Sequence, residues 1–170
     1  MKRFFCLLLI LSAILMPACS QRNSPAPVQP AQLYYLSSEI TYHKDSGVIA
    51  CEPRDVKNYA DSLNSFIAMY LQGPESSDLI SPFPSGLKAE EIMQSNSLIQ
   101  ITLSKEFSKL EGIDMTLSCS CLAATIKEYT GVEYVYISYK NAATGKRHTL
   151  SLGPDSFQFY DDAMQVSKSK

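Results

Sequence analysis

The chain has 170 residues, 45% of them hydrophobic, and a formal net charge of −2. This length and composition suit one domain with a hydrophobic core. Removing Lys2 and Arg3 from the 15 basic residues leaves 13 against 17 acidic residues, so the remaining chain is mildly acidic. It therefore lacks the basic patch that binds nucleic acid or holds a protein on anionic lipid, and we expect no nucleic-acid partner.

The first 18 residues are typical of a secretory signal peptide. Lys2 and Arg3 precede an apolar run over residues 4–15, which is shorter than the roughly 20 residues of a transmembrane helix. Residues 16–19 read MPAC and resemble the bacterial lipobox, whose cysteine is acylated. The resemblance implies that Cys19 is the first mature residue and that acyl chains such as palmitate anchor it at the extracytoplasmic face of the cell membrane. A single acyl chain binds only marginally, so several would be needed.

Residues 19–32 form a predicted flexible tether behind the anchor. Pro25, Pro27 and Pro30 lie there among Ser, Asn and Gln, a composition that buries little apolar surface. A single domain is predicted over residues 33–161, followed by a frayed tail over residues 162–170.

Hydrophobic periodicity predicts an alternation of strand pairs and helices. Asp55 is a candidate N-cap for the first helix, and Gly131 is a candidate left-handed residue after the second. In the strand after Gly131, Val135 and Ile137 face one way and Tyr134 and Tyr136 the other. In chain order, the predicted elements are strands over residues 33–36 and 48–51 (the latter closed by Pro53), a helix over 55–71, strands over 87–93 and 97–103, a helix over 114–129, and strands over 133–139 and 148–152.

The order β-β-α-β-β-α-β-β predicts an α+β fold. Two helices would pack on one face of a largely antiparallel sheet. The second helix would bury one stripe, formed by Met115, Cys119, Leu122, Ile126 and Tyr129.

Five segments resemble the GerMN domain, a module of sporulation and spore-germination lipoproteins of Gram-positive bacteria. They span about residues 33–152, and the hairpin turn at 141–145 is longer than is usual in the family. The resemblance implies a small α+β module similar to the ring-building motifs of secretion-type assemblies, without catalytic residues. The segments are 33–36 (LYYL), 70–74 (YLQGP), 79–86 (LISPFPSG), 99–107 (IQITLSKEF), and 125–132 (TIKEYTGV) with 134–137 (YVYI).

Three cysteines belong to the predicted domain: Cys51, Cys119 and Cys121. Helix positions two apart point about 200° apart, so Cys119 and Cys121 cannot face one metal ion together. Plain packing, a disulfide from Cys51 to one of the other two, and a thiolate metal site remain three readings, with packing favoured by this geometry.

No residue pattern indicates catalysis, a cofactor or a metal. The two histidines, His43 and His148, lie outside any metal-binding or triad motif. The acidic pairs Glu90–Glu91 and Asp161–Asp162 are interpreted as solvated surface, since neighbouring residues of a strand point to opposite faces. We therefore expect no enzymatic activity. A role as an enzyme of cell-wall remodelling is the least supported hypothesis, after the two given in the next paragraph.

Aromatic residues offer the one candidate binding surface. Tyr134 and Tyr136, together with Tyr35, could line one sheet face and hold a protein partner or a sugar, although tyrosine also packs well in strands. The leading hypothesis is a lipid-anchored interaction or assembly module of the bacterial envelope, acting through an envelope protein or self-association. The alternative is a peptidoglycan-binding lipoprotein.

Overall fold

The computed structural model describes residues 30–39 and 47–153. Two α-helices and seven strands form this part of the chain, and a short 3-10 helix precedes each α-helix (Lys57–Tyr59 and Lys105–Lys109). The elements are β1 (Ala31–Ser37), β2 (Ile49–Arg54), α1 (Leu63–Tyr70), β3 (Leu79–Ile80), β4 (Ala89–Gln94), β5 (Leu98–Leu103), α2 (Gly112–Thr130), β6 (Tyr134–Lys140) and β7 (Arg147–Leu152).

The predicted α+β class is confirmed, and the strands divide into two sheets. One sheet has the order β2–β1–β3 and the other has the order β4–β5–β6–β7. All neighbours are antiparallel except β5 and β6. The chain passes from β5 to β6 through α2, because a parallel pair needs a long crossover. The two-residue strand β3 is an element that the sequence pattern did not predict.

The first helix is shorter than predicted and has a different N-cap. Ser62 caps α1, and its hydroxyl oxygen accepts a hydrogen bond from the Ser65 N–H at 3.2 Å. Asp55 instead accepts from the Lys57 N–H at 3.0 Å at the start of the 3-10 turn. Both residue types are good caps, but the helix begins about two helical turns after the predicted cap at Asp55, so that predicted start was wrong.

Strand β2 runs through Pro53, which was predicted to close it. Pro53 lies opposite Gln32 in the register of β1 and β2. Strand β2 is at the edge of its sheet, and a proline can continue an edge strand because its missing N–H can face away from the partner.

Helix α2 is buried on more sides than the predicted single stripe. Cys119, Leu122 and Ile126 are buried as expected, but so are Cys121 and Thr125. The helix packs against both β1 and β6, so its middle, over residues 121–126, is buried on every side, whereas its first turn is exposed. Its end is as predicted, with Gly131 in the left-handed region at φ 72°.

Side chains from both helices cover one edge of β1. The Tyr34 N–H donates to the Thr125 hydroxyl at 2.9 Å, and the Tyr70 hydroxyl donates to the Tyr34 carbonyl at 2.5 Å. These bonds replace a neighbouring strand, because buried backbone groups need partners. They join the three-stranded sheet to α1 and α2.

A single hydrophobic cluster fills the space between the sheets and the helices. The inner face of the four-stranded sheet contributes Ile99, Ile101, Val135 and Ile137, all without solvent exposure. The alternation predicted for β6 is therefore confirmed, since Val135 and Ile137 face the core. Tyr134 and Tyr136 consequently face the other side of this sheet.

Candidate functional site

The outer face of the four-stranded sheet carries a row of large side chains. We call Met93, Leu98, Gln100, Tyr134 and Tyr136 the tyrosine face. They lie on neighbouring strands, with Met93 opposite Gln100, Gln100 beside Tyr136, and Leu98 beside Tyr134. Tyr134 is 40% exposed and Met93 is 48% exposed. Neither α-helix packs on this side, because both contribute to the core on the inner side.

Tyr35 does not belong to the tyrosine face, although the sequence suggested that it lies there with Tyr134 and Tyr136. It lies on β1 in the other sheet and is fully buried. Its hydroxyl is 3.1 Å from the carbonyl oxygens of both Tyr70 and Gly73, and burial raises its pKa far above the ordinary range. Tyr35 is therefore a packing and hydrogen-bonding residue of the core.

Two buried hydroxyl groups stiffen the centre of the same sheet. The Thr102 and Ser138 hydroxyls are 3.1 Å apart, and Ser138 also approaches the Ile101 carbonyl oxygen at 3.4 Å. Both side chains alternate with core residues, so they belong to the outer side. Because their hydrogen-bonding capacity is used within the sheet, they support the tyrosine face without offering free groups.

A second concave surface, which we call the edge groove, lies between α1 and β4. The helix contributes Asn64 and Ala68, its C-cap Leu71 continues the same face, and the strand side runs from Leu87 to Ile92. The groove has a volume of about 560 Å³. Strand β4 is an edge strand, so within the described residues its groove side has no strand partner. The sequence pattern did not predict this groove, because the position of α1 next to β4 depends on tertiary packing.

The acidic pair Glu90–Glu91 lies on this edge strand and is exposed. The register between β4 and β5 shifts between Ala89 and Glu91, which leaves Glu90 in a bulge. Bulges interrupt the flat backbone edge that would otherwise pair with any strand. The pair therefore keeps its predicted place on the solvated surface, and the second acidic pair at residues 161–162 lies outside the described residues.

A buried ion pair organises the loop that follows α1. Arg54 and Glu52 form an ion pair at the end of β2, and the Glu52 carboxylate accepts the N–H groups of Glu75 and Ser76 at 2.9–3.2 Å. Burial acts to raise the pKa of Glu52, but these N–H groups and Arg54 outweigh it, so the pKa is lowered. Arg54 also donates to the Gly73 carbonyl. Since the carboxylate is occupied, the pair is structural.

The three domain cysteines differ in solvent exposure, and all three carry free thiols. Cys51 is exposed on β2, whereas Cys119 and Cys121 are buried in α2. Burial raises the pKa of both helical thiols to about 12, so they stay protonated at neutral pH. The disulfide that the sequence left open is therefore not formed, and packing accounts for the helical pair.

His148, the histidine that the structure describes, belongs to no group of described side chains that could bind a metal. His148 lies on β7, exposed, and its ring stacks on Tyr139 with centroids 5.4 Å apart. Within residues 30–39 and 47–153, no three His, Cys, Asp or Glu side chains are placed to hold a metal ion. His43 lies outside the described residues.

The predicted anchor also lies outside them, since the signal peptide, Cys19 and the tether up to Gln29 precede the first described residue. In the described part, neither helix has both the length and the apolar character to cross a bilayer.

Comparisons with known proteins give one distant structural likeness. No family model matches the chain, and no curated protein does. A crystal structure described as "Putative Lipoprotein from Clostridium perfringens" is similar with a TM-score of 0.41 and 19% sequence identity, over 69% of this chain and 87% of that one. At this level the likeness carries no functional argument.

Proposed function

We propose that this chain is a lipid-anchored interaction module of the bacterial envelope and not an enzyme. The observation that carries the proposal is the tyrosine face. An outward sheet face is ordinarily polar, whereas here Met93, Leu98, Tyr134 and Tyr136 lie together on neighbouring strands. Tyrosine and methionine are enriched at protein interfaces, and a contiguous exposed apolar patch marks a binding surface.

The edge groove gives this surface a second way to engage a partner. It adjoins β4, and Met93 of the tyrosine face lies on that strand. An extended segment of a partner could pair with the part of β4 beyond the bulge, from Glu91 to Gln94, while its side chains contact the face, which is a recurring mode of recognition. The side chains of Glu90 and Glu91 favour a partner segment that carries basic residues.

The address of the module rests on the N-terminal segment. The MPAC motif ending at Cys19 and the proline-bearing stretch between it and the start of β1 at Ala31 support acylation and a short reach from the membrane surface. The GerMN-like segments support a role in envelope assembly linked to sporulation or germination.

The anchor is tested by the variant Cys19→Ser in the producing cell. We expect it to leave the membrane fraction, because the acyl chains supply the membrane affinity. The matched control is Cys51→Ser, which removes the exposed thiol of the domain and should stay with the membrane. Equal membrane retention of both variants would refute the anchor.

The interaction surface is tested by site-specific photocrosslinking. A photoreactive phenylalanine analogue at position 136 should give discrete adducts with an envelope protein or a second copy. The same analogue at Lys57, which is exposed on the 3-10 helix before α1, serves as the control. Adducts of the same identity and yield at both positions would contradict a specific face.

Peptidoglycan binding is a second candidate, favoured by the amide of Gln100 lying beside Tyr136 on the neighbouring strand. An aromatic ring next to an amide can contact a sugar ring and its hydroxyls. The domain should then sediment with purified peptidoglycan, and Tyr134→Ala or Tyr136→Ala should weaken this while Lys57→Ala does not. Sedimentation no greater than that of an unrelated protein would exclude this candidate.

A further inference from the structure

The hairpin formed by β6 and β7 concentrates positive charge in a chain that is acidic overall. Residues 134–153 contain Lys140, Lys146 and Arg147 but no Asp or Glu. All three basic side chains are exposed. Within residues 30–39 and 47–153, none of the three forms an ion pair. The hairpin is therefore a local cationic surface that is not apparent from the net charge of the chain.

Two of these cations lie directly opposite each other. Lys140 on β6 pairs with Arg147 on β7. Tyr139, the neighbour of Lys140 in β6, contributes to the core, so Lys140 and Arg147 both belong to the outer side of the sheet. Like charges at directly opposite positions destabilise a strand pair. Such a local conflict at an exposed position is typical of a functional site, and an anionic group bound between the two cations would relieve it.

Hydrogen bonds hold the turn of this hairpin in one shape. The side-chain oxygen of Asn141 accepts the Thr144 N–H at 2.9 Å, and its carbonyl accepts the Gly145 N–H at 2.8 Å. The Ala142 N–H donates to the Ser108 hydroxyl at 3.3 Å, which fastens the turn to the 3-10 helix before α2. The cations are thus presented on a preorganised turn, and preorganisation reduces the entropy lost on binding.

The cationic surface continues the tyrosine face along the same strand. The outward positions of β6 carry Tyr134, Tyr136, Ser138 and Lys140 in that order, and six residues of a strand span about 20 Å. On β7, the exposed Thr149 lies opposite Ser138 and joins the two halves. One strip of the outer surface is therefore aromatic at one end and cationic at the other.

Acidic residues accompany the other cations at this end of the sheet. Lys88 precedes the acidic pair Glu90–Glu91 on the β4 side. The 3-10 helix Lys105–Lys109 has a lysine at each end, with Glu106 between them and Glu111 two residues after the second. The unbalanced positive charge is therefore that of the hairpin.

We propose that the β6–β7 hairpin binds an acidic segment of the same protein partner whose apolar side chains contact the tyrosine face. This inference rests on the proposed function and adds the chemistry of the partner, with Asp or Glu side chains at one end of the bound segment and apolar side chains at the other. Basic residues toward Glu90 and Glu91 and acidic residues toward the hairpin fix the orientation of the partner on the sheet.

An extended polypeptide fits this strip better than other anionic partners do. Its alternate side chains recur about every 6.6–6.8 Å, the same spacing as the outward positions of β6. A phosphate polymer of the wall or an anionic lipid surface would engage the cations of the hairpin but would leave the tyrosine face without an apolar counterpart.

Charge reversal in the producing cell tests the inference. Photocrosslinking from position 136 is repeated in the full-length chain that carries Lys140→Glu. We expect the yield of the partner adduct to fall by about fivefold or more, because the new carboxylate repels the acidic segment. Lys140→Arg keeps the charge and should keep the yield. Lys57→Glu is the matched control, since it makes the same change of charge at an exposed residue before α1.

The same variant separates binding from folding. Lys140→Glu replaces a like-charge pair with an ion pair to Arg147, so the melting temperature should rise by about 1–4 °C while the crosslink yield falls. Circular dichroism of the full-length chain in mild detergent measures this. A lower melting temperature would show that Lys140 supports the fold and would overturn its assignment to binding.

A photoreactive residue in place of Thr149 identifies the source of the negative charge. We expect it to capture a peptide of the same partner that contains Asp or Glu, identified by mass spectrometry. Adducts with lipid or with a phosphate polymer, or an unchanged yield in Lys140→Glu, would overturn this inference and leave the protein contact at position 136 in place. The lack of any discrete adduct at position 136 in the otherwise unchanged chain would instead contradict the proposed function itself.

Discussion

The two sheets of this domain treat their edges in opposite ways. In the three-stranded sheet, the Thr125 and Tyr70 hydroxyls bond the backbone of Tyr34, so side chains of the helices close the strand edge. In the four-stranded sheet, β4 borders a groove of about 560 Å³. Among the described residues, no strand pairs with the outer edge of β4. The exposed edge is also broken by a bulge at Glu90.

This difference separates polar groups that hold the structure together from polar groups that are available for binding. We call the three-stranded sheet and the side chains that cover it the closed region, and the β4 edge with the tyrosine face the open region. Side chains of the closed region have partners, as Glu52 does with Arg54 and with two backbone N–H groups. Substitutions there should cost folding stability, since they orphan buried groups. Substitutions on the tyrosine face and at the β4 edge should leave folding nearly unchanged and alter binding.

The largest loss of stability is expected for Glu52→Ala. This change removes the buried carboxylate that pairs with the Arg54 guanidinium and leaves it the exposed Glu75 carboxylate at 3.4 Å. It also removes the acceptor for the Glu75 and Ser76 N–H groups. Breaking a buried pair from one side costs about 3 kcal/mol or more. Urea denaturation followed by circular dichroism measures the free energy of unfolding.

Glu90→Ala is the matched control, because it removes an exposed carboxylate from the bulge of β4. Its effect should stay within about 0.5 kcal/mol. If both variants lost equal stability, the closed and open regions would not differ in the way described.

A smaller loss is expected for Thr125→Val, which keeps the shape of the side chain but removes its hydroxyl. The Tyr34 N–H then loses the Thr125 hydroxyl as its acceptor, and the loss of a buried hydrogen bond costs about 1 kcal/mol. Thr116→Val on the same helix is the control, since the Thr116 hydroxyl bonds only its own helix at the exposed Gly112 carbonyl. Equal free energies of unfolding for the two variants would show that α2 does not close the β1 edge.

Acid should weaken the closed region through Glu52. Its pKa is lowered in the folded protein from an ordinary value of 4.5, so the unfolded chain takes up the proton more readily. The stabilisation is therefore complete above pH 4.5 and is lost as the pH falls below it toward the folded-state pKa. Denaturation of the wild type and of Glu52→Gln should give a difference that shrinks on acidification, and a constant difference would contradict this.

Local features of the fold could be predicted from the sequence, whereas features set by distant contacts could not. Gly131 and the alternation around Val135 depend on neighbouring residues, and both were predicted correctly. Strand β3 is only two residues long and exists because it pairs with the end of β1. The start of α1 was wrong because the sequence offers two good caps, Asp55 and Ser62.

The candidate site divides along the same line. The outward direction of Tyr134 and Tyr136 follows from alternation in one strand, and the structure places both on the outer face. The sequence assigned Tyr35 to the wrong surface. The burial of β1 depends on α1 and on the pairing of β1 with β2, in which Tyr35 lies opposite Ala50. The edge groove involves two elements far apart in sequence, so no local pattern could indicate it.

The smallest effect on folding, and the sharpest test of the open region, is expected for Met93→Lys. Met93 is 48% exposed at the edge of the tyrosine face, so the charge stays in water and the free energy of unfolding should change by less than about 0.5 kcal/mol. A lysine on an open strand opposes the addition of another strand and desolvation of the face. Photocrosslinking from position 136 should therefore fall severalfold in this variant.

Ile113→Lys, a substitution of a 67% exposed residue at the start of α2, is the control and should leave the crosslinks unchanged. Undiminished crosslinking in Met93→Lys would mean that partners bind elsewhere on the molecule.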